Sequence, residues 1–383
     1  MVERAEFLRQ RQKEGLFRTL NPISYRQAGR VYLDKKEYLD FSSNDYLGLS
    51  GHPKIVAESK KGLDRFGTSA CASRLLSGDL EIHHQLEDKV AQFKNKEAGL
   101  IFNSGYQANL GIIPALYQKG DCIFSDRLNH ASIIDGMILS GARFFRFPHN
   151  DVENLESLLE KERNKFQKAL IVIETIFSMD GDRSSLRDIV SLKEKYNCEI
   201  LVDEAHATGI FGKRGSGVAE EEGLAEKIDF MMGTFSKALG GFGAYLATTK
   251  KIKEYLINTC RSFIYSTALP PALIAGNLAG IELVEEEPYR RTQLLAQAQY
   301  FRDKLKELGL EVRGASQIVP VVIGDNLKTV EFARRLQEKG YWVHPIRPPT
   351  VKQGQARLRF SLTFYHHKEI LEQLINDIKE IRI

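Results

Sequence analysis

Short apolar segments alternate with amphipathic segments along most of this chain. The amphipathic segments carry an apolar residue every three or four positions, which predicts helices with one buried face, as in NLESLLEKERNKF and LRDIVSLKEKYN. The short segments are rich in branched and aromatic residues and predict strands: AGLIF, DCIFS, RFFRF, ALIVIETIF, EILVDEAH, DFMMGTF and GAYLATT. Strands that alternate with helices indicate an α/β fold with a mostly parallel, seven-stranded sheet covered by helices.

A change of pattern near residue 288 predicts a second, smaller domain. LAGIELVEEEPYRR has the pattern of a long helix that ends at a boundary, and further helices then alternate with the strands IVPVVIG and ARLRFSLTF. We therefore expect an N-terminal segment over residues 1–45, a large domain over 46–287 and a small α+β domain over 288–383. The N-terminal segment is expected to pack against the small domain or against a partner.

Composition and charge narrow the possible classes of function. The net charge of +4 on 383 residues, with no block of lysine and arginine, does not indicate nucleic-acid binding. No apolar run approaches the roughly 20 residues of a membrane-spanning helix, and the charged N-terminus lacks the apolar core of a secretory signal. Cys71, Cys122, Cys198 and Cys260 form no CxxC pair, which argues against a zinc or dithiol site. We expect a soluble, cytoplasmic protein.

Polar residues at the ends of neighbouring predicted strands suit the chemistry of one cofactor. Asp203 closes a strand, His206 follows three residues later, and Lys237 follows the next strand in the glycine-rich GTFSKALGGFGAY. Ligands of open α/β sheets bind at the carboxyl ends of strands. An aspartate there more often caps a turn, but this combination suits pyridoxal phosphate. Lys237 would bind its aldehyde, Asp203 its pyridine nitrogen and His206 its phenolic oxygen.

Two more strand ends would complete such a site. Ser104, in FNSGYQAN, comes where a predicted helix begins, and backbone N–H groups at that position can hold a phosphate. His130, in DRLNHAS, could stack on the cofactor ring, although taken alone it is more often a structural histidine or a helix cap. The histidine pairs at 83–84 and 366–367 have no cysteine or carboxylate partner at ligand spacing, so we expect no metal site.

Seven motifs of the chain occur together and in one order: FSSNDYLGLSGHP, FNSGYQANLG, DRLNHASIIDG, FSMDGD, DEAHATGIFG, GTFSKALGGFGAY and IYSTALPP. In these motifs, over nearly its whole length, the chain resembles the α-oxoamine synthases, a branch of the fold-type I transferases that depend on pyridoxal phosphate. The resemblance implies the decarboxylative condensation of an amino acid with an acyl thioester. IYSTALPP and IRPPTV favour L-alanine and a pimeloyl group carried by coenzyme A or a carrier protein.

The resemblance also implies a role for each matching residue. Lys237 would be the covalent anchor and the base, with His130, Asp203 and His206 as the other catalytic residues. The remaining cofactor contacts would be Ser104, Gly105, Tyr106, Ser178, Thr234 and Thr267. Thr267 is expected to reach the phosphate in the neighbouring subunit, which implies a homodimer with active sites at the subunit interface.

The same resemblance implies where the substrates bind. Asn44 and Arg359 would hold the amino-acid carboxylate beside His130, and Arg18 and Thr350 would lie on the acyl side. Arginine suits a carboxylate because its planar fork donates two parallel hydrogen bonds.

One segment departs from the family pattern, and two other functions stay open. GTSACASRLLSG carries Ser69 and Cys71 where the family has glycine, and the added Cβ atoms would narrow the site or strain backbone at positive φ. The first alternative is a glycine C-acetyltransferase that uses glycine and acetyl-CoA. The second is a non-catalytic partner subunit of an acyltransferase complex.

Overall fold

The structure is a computed structural model that describes residues 2–381, and these residues form two compact units. The large unit comprises Leu49–Phe177 and Arg183–Arg291, and the small unit holds the other described residues. The units change over at residues 48 and 291, and the domain boundaries expected at residues 45 and 287 remain a prediction.

The strands are, in chain order, β1 (Tyr25–Gln27), β2 (Arg30–Leu33), β3 (Lys36–Asp40), β4 (Ala98–Phe102), β5 (Cys122–Asp126), β6 (Arg143–Phe147), β7 (Ala169–Glu174), β8 (Glu199–Asp203), β9 (Phe230–Thr234), β10 (Ala244–Thr248), β11 (Glu311–Val312), β12 (Ile318–Gly324), β13 (Tyr341–Trp342), β14 (Pro345–Ile346) and β15 (Ala356–Ser361). The helices are α1 (Val2–Lys13), α2 (Pro53–Phe66), α3 (Glu81–Lys94), α4 (Gly105–Leu116), α5 (Ala131–Ser140), α6 (Val152–Glu162), α7 (Leu186–Lys195), α8 (Val218–Glu221), α9 (Lys250–Thr259), α10 (Arg261–Ile264), α11 (Pro271–Glu286), α12 (Tyr289–Glu307), α13 (Asn326–Glu338) and α14 (Lys368–Ile381). Short 3₁₀ turns cover Arg163–Lys165 and Ala225–Lys227.

Seven strands of the large unit form one sheet in the order β4-β10-β9-β8-β7-β5-β6. The five strands from β9 to β6 are parallel, and β10 runs antiparallel to both of its neighbours. Strands β4, β5, β7, β9 and β10 are buried along their whole length, as strands covered on both faces are. The edge strand β6 instead exposes Arg143 and Arg146, charges that discourage pairing with another chain. The predicted seven-stranded, mostly parallel sheet is confirmed.

An apolar cluster that includes residues of the sheet and of helices α4 and α5 forms the core of the large unit. Ile112 from α4, Met137 from α5 and the strand residues Leu170, Leu201 and Leu246 are all fully buried in it. Burying one such side chain contributes about 1.5–3 kcal/mol. This core fixes the sheet, and therefore fixes the strand ends that carry the polar residues.

The small unit contains two four-stranded sheets. One joins the N-terminal strands β1, β2 and β3 to β13, which pairs parallel to β3 with Tyr341 opposite Leu39. The other is antiparallel, in the order β11-β12-β15-β14, and places Arg359 in β15 opposite Pro320 in β12. Within residues 2–381, no helix combines the length and the apolar character that crossing a membrane requires.

One ion pair of the large unit is buried next to the end of β8. The Nζ of Lys94 lies 2.7 Å from Oε2 of Glu204, and both side chains are 1% exposed. Lys94 also donates to Thr208 Oγ1 at 3.1 Å and to the backbone oxygen of Ser216. The backbone N–H of Ala219 donates to Oε1 of Glu204 at 3.0 Å. Such a pair is tolerated in a core because these extra bonds replace lost water.

We expect Lys94→Met to lower the free energy of unfolding by about 3–5 kcal/mol, because Glu204 would keep a buried charge without a partner. Lys61→Met is the control, since it breaks the exposed pair with Glu58 and should cost less than about 1 kcal/mol. Denaturant titrations of both variants beside the parent protein measure the two losses. Equal losses of unfolding free energy would contradict the claim that breaking the buried pair costs more than breaking an exposed one.

Candidate active site

The carboxyl ends of β7 and β8 and the middle of β9 bring three side chains into one row. Glu174 is the register partner of Asp203, and Asp203 is the register partner of Met232. All of them line a cavity of about 190 Å³ in the large unit. The other residues that line it are Gly105, Tyr106, His130, Ser132, Ala205, His206, Thr234, Ser236 and Lys237. The structure thus brings together most of the cofactor residues predicted from the sequence.

Asp203 is buried and held in one orientation. Its Oδ2 accepts a hydrogen bond from Nδ2 of Asn109 at 3.1 Å, and its Oδ1 accepts the N–H of Ala205 at 2.9 Å. Asn109 lies on α4 and also donates to Oγ of Ser132 at 3.0 Å. Donors of this kind favour the charged carboxylate, which is the form that pairs with a protonated ring nitrogen.

Lys237 and His206 contact each other at the cavity wall. The Nζ of Lys237 lies 3.0 Å from Nε2 of His206, and Lys237 is only partly buried. The contact joins the loop after β9 to the loop after β8. An amine beside an imidazole can be kept neutral or exchange a proton with it, and an amine that acts as a base needs this property.

Two glycines near Lys237 allow other parts of the large unit to pack closely against its loop. A Cβ on Gly240, which has φ +68°, would lie 2.5 Å from the backbone carbon of Leu49. A Cβ on Gly241 would lie 2.0 Å from Oδ1 of Asn277. These two glycines therefore admit neighbouring protein atoms.

The start of helix α4 forms another wall of the cavity. Ser104 is the N-cap of this helix, and its Oγ accepts the N–H of Gln107 at 3.2 Å. Gly105 and Tyr106 in the first turn line the cavity, so their unpaired backbone N–H groups can bind an anion there. Thr234 lies nearby with its hydroxyl donating to the backbone oxygen of Gly243 at 2.7 Å. The phosphate role of these residues stays a prediction.

Thr267 does not line this cavity within its own chain. Its backbone oxygen accepts a hydrogen bond from Nδ2 of Asn103 at 2.9 Å, and Thr267 is exposed. Its neighbour Ala268 donates to the backbone oxygen of Ala72 at 2.9 Å. Exposure agrees with the expected role toward a neighbouring subunit, and that role stays a prediction.

His130 both caps a helix and faces the cavity. Its Nδ1 accepts the N–H of Ser132 at 3.2 Å at the start of α5, and its ring meets Tyr106 edge-on at 6.2 Å. The surrounding protein removes part of its hydration and so lowers the pKa of the imidazole. The carboxylate of Asp203 opposes this shift in the pKa, and the positive charge of Lys237 adds to it. The ring is therefore neutral at pH 7.

The predicted substrate residue Arg359 lies in the small unit with every N–H engaged. Its Nε donates to the backbone oxygen of Ser178 at 2.6 Å, and Nη1 donates to Ser361 Oγ at 2.5 Å. Both terminal nitrogens donate to Oδ1 of Asn44 at 3.3 Å, and Nη2 also donates to the Tyr46 hydroxyl at 3.3 Å. The guanidinium is therefore held firmly, with its longest bonds on the side of Asn44 and Tyr46.

The other predicted substrate residues, Arg18 and Thr350, also meet in the small unit. Nη2 of Arg18 donates to Oγ1 of Thr350 at 3.1 Å, and both residues are exposed. The structure thus brings the two residues into contact, and their role in binding the acyl group stays a prediction. Ser178 also belongs to the small unit, where its backbone oxygen accepts the bond from Arg359. Its predicted cofactor role likewise stays a prediction.

Cys71 has a backbone conformation that residues other than glycine seldom adopt. Its φ is +59°, in the left-handed region where the family pattern has glycine. Oγ of Ser69 accepts the N–H of Cys71 at 3.0 Å, which helps to hold this turn. The departure from the family pattern therefore keeps the glycine-like backbone and adds two side chains to it.

Sequence reasoning missed Glu174, Asn109 and Ser132. Glu174 carried a usable signal, because ALIVIE and EILVD both end in an acidic residue and are parallel neighbours. Asn109 and Ser132 carried none, since Asn109 bonds to both Asp203 and Ser132 across long separations in the chain. Within the described residues, no group of three or more histidine, cysteine, aspartate or glutamate side chains could hold a metal ion.

Comparison with known proteins defines the family. The sequence family described as aminotransferase class I and II matches residues 36–378. The chain belongs to this family. It is 47% identical over 371 residues to the 8-amino-7-oxononanoate synthase of Geobacter sulfurreducens, covering 96% of this chain and 95% of that one.

Two solved structures are similar to this family member along most of its length. A structure of SPT with a PLP internal aldimine has a TM-score of 0.93 and 29% identity, and covers 99% of this chain and 97% of that chain. The 8-amino-7-oxononanoate synthase from Francisella tularensis has a TM-score of 0.78 and 30% identity, over 90% of this chain and 97% of that one.

The groups around the cavity fit pyridoxal phosphate. Lys237 offers an amine for the aldehyde, Asp203 a buried carboxylate for the ring nitrogen, and the start of α4 offers N–H groups for the phosphate. His130 offers a neutral ring that lines the cavity. Each functional group of the cofactor thus has a chemically suitable partner in the large unit.

We expect the imidazole of His130 to titrate below its ordinary pKa of 6.5 in the protein without added cofactor. Lys237→Met should raise the pKa of His130, because it removes a positive charge that disfavours the imidazolium. Asp203→Asn should lower it further, because it removes the charge that favours the imidazolium. NMR titration of labelled histidine measures both shifts, and shifts of the same sign in the two variants would contradict the assignment.

Proposed function

We propose that this protein catalyses the decarboxylative condensation of L-alanine with a pimeloyl thioester. The products are 8-amino-7-oxononanoate, CO₂ and the free thiol, as a step of biotin biosynthesis. The observation that carries the proposal is the contact of Lys237 with His206 beside Asp203 in one cavity. It occurs in a chain that is 47% identical, over nearly its full length, to an enzyme named for this product.

Pyridoxal phosphate, when bound, supplies the electron sink that makes the Cα–H bond of an amino acid acidic. Asp203 keeps a proton on the ring nitrogen because its carboxylate is buried, charged and held by Asn109. Once it has lost its own proton, the Lys237 amine takes the proton from Cα and later returns one. His206 lies 3.0 Å from the Lys237 amine, so it orients that amine and shares its proton.

Arg359 is the proposed site for the carboxylate of alanine. The bonds from its terminal nitrogens to Asn44 are 3.3 Å long, and a carboxylate would replace them with shorter, charge-assisted bonds. Its remaining bonds to Ser178 and Ser361 would persist and keep the guanidinium in place. Arg18 and Thr350 are the proposed contacts on the acyl side.

We also propose a cytoplasmic homodimer with shared active sites. Thr267 is exposed in a loop that Asn103 holds, and Asn103 directly precedes the N-cap of α4. Thr267 would therefore reach the phosphate of the neighbouring subunit from a loop braced by the first subunit's own phosphate segment. The four cysteines are free thiols, which suits a reducing compartment.

The choice of substrates can be tested directly. We expect L-alanine with pimeloyl-CoA or a pimeloyl carrier protein to give thiol release, CO₂ and the amino ketone in equal amounts. Purified protein is incubated with alanine or glycine against pimeloyl and acetyl thioesters, and each product is quantified. Turnover of glycine with acetyl-CoA alone would reject the pimeloyl assignment in favour of glycine C-acetyltransferase.

Lys237→Ala should abolish the visible absorbance of the bound cofactor imine and reduce turnover by at least about 10²-fold, since it removes both the anchor and the base. Lys250→Ala is the control, because Lys250 is an exposed lysine at the start of α9. Absorption spectra before and after borohydride, together with turnover assays, give the two readouts. Substantial turnover by the Lys237 variant would overturn the mechanism, and a parent protein without the imine absorbance would favour a non-catalytic subunit.

A further inference from the structure

Glu174 is a buried carboxyl in the cavity that the proposed chemistry leaves unused. It ends β7, is 3% exposed, and lines the cavity beside its register partner Asp203. Oε1 of Glu174 has no hydrogen-bond partner among the residues that the structure describes. A buried polar atom of this kind calls for an explanation, and a ligand atom is one.

The groups around Glu174 and Asp203 indicate which of the two carboxyl groups holds a proton more readily. Two buried carboxyl groups on neighbouring strands disfavour a double negative charge. Asp203 accepts N–H donors from Asn109 and Ala205, which favour its charged form. Burial raises the pKa of Glu174 well above its ordinary range, and the charge of Asp203 raises it further.

Other groups near Glu174 do not reverse this order. The positive charge of Lys237 and the N–H of His130 lower the pKa of Glu174, whereas the carboxylate of Asp126 raises it. The net direction is upward, which favours the neutral acid over the carboxylate. A neutral carboxyl group has an O–H donor that a carboxylate lacks. That donor lies on a side chain that lines the cavity.

We propose that Glu174 is a further cofactor-binding residue, which donates its carboxylic O–H to an oxygen of the bound pyridoxal phosphate from the β7 side. The inference rests on the proposed function. Asp203 and Glu174 would then divide two roles between them, one as the charged partner of the ring and the other as a neutral donor. Adjacent carboxyl groups whose environments separate their protonation states commonly divide roles in this way.

Infrared difference spectroscopy tests the proton and the contact together. At neutral pH the parent protein should show the carbonyl band of a protonated carboxylic acid, and Glu174→Gln should lack it. Loading with pyridoxal phosphate should shift this band in the parent protein, because the O–H gains an acceptor. The readout does not depend on turnover.

Cofactor affinity gives a second readout. Glu174→Leu should weaken binding of pyridoxal phosphate by about 10-fold or more, whereas Glu174→Gln, which keeps an N–H donor, should stay within about threefold of the parent protein. Thr175→Val is the matched control, because Thr175 is a fully buried neighbour that does not line the cavity. Thermal melts of the cofactor-free variants separate lost contacts from failed folding.

Three results would overturn the inference. One is the absence of the protonated-acid band, and another is a band that does not move on loading, which would show that the Glu174 O–H gains no acceptor from the cofactor. The third is a Glu174→Leu variant with the parent protein's affinity. A parent protein that binds no pyridoxal phosphate would overturn the proposed function as well, whereas the other results leave that function intact.

Discussion

A charged carboxylate held at the end of a buried strand is the constraint on which this site depends. Asp203 is 5% exposed, and a charge there is tolerated because donors from α4 and from its own loop replace water. Those donors exist only if α4 packs on the sheet as it does. The same helix presents its first-turn N–H groups to the cavity, so one packing arrangement places both ends of the proposed cofactor site.

Much of the large unit could be predicted from the pattern of residues. AGLIF corresponds to β4 residue for residue, and the strands that end at Asp203 and Thr234 were also expected. Local signals suffice here because a strand buried on both faces needs a continuous apolar run. Lys237, His206 and Asp203 followed from their places after such strands, together with the resemblance to a known family.

The remainder depends on contacts between distant parts of the chain. Glu174 is recognisable as part of the site only through its register with Asp203, and register belongs to the folded sheet. The packing role of the glycines near Lys237 could not be predicted, because their neighbours Leu49 and Asn277 are remote in sequence. Arg359 could be named from its motif, but the bonds that hold it come from Asn44, Ser178 and Ser361, and no spacing rule joins them.

The buried pair of Lys94 and Glu204 has a consequence for the fidelity of folding. Successive side chains of a strand point to opposite faces, so a slip of β8 by one residue would exchange the environments of Asp203 and Glu204. Such a slip would leave the buried Lys94 ammonium without its carboxylate partner. It would also move the Asp203 side chain out of the cavity. A misaligned sheet would thus carry unpaired buried charges. The ion pair therefore favours the strand alignment that also places Asp203 in the cavity.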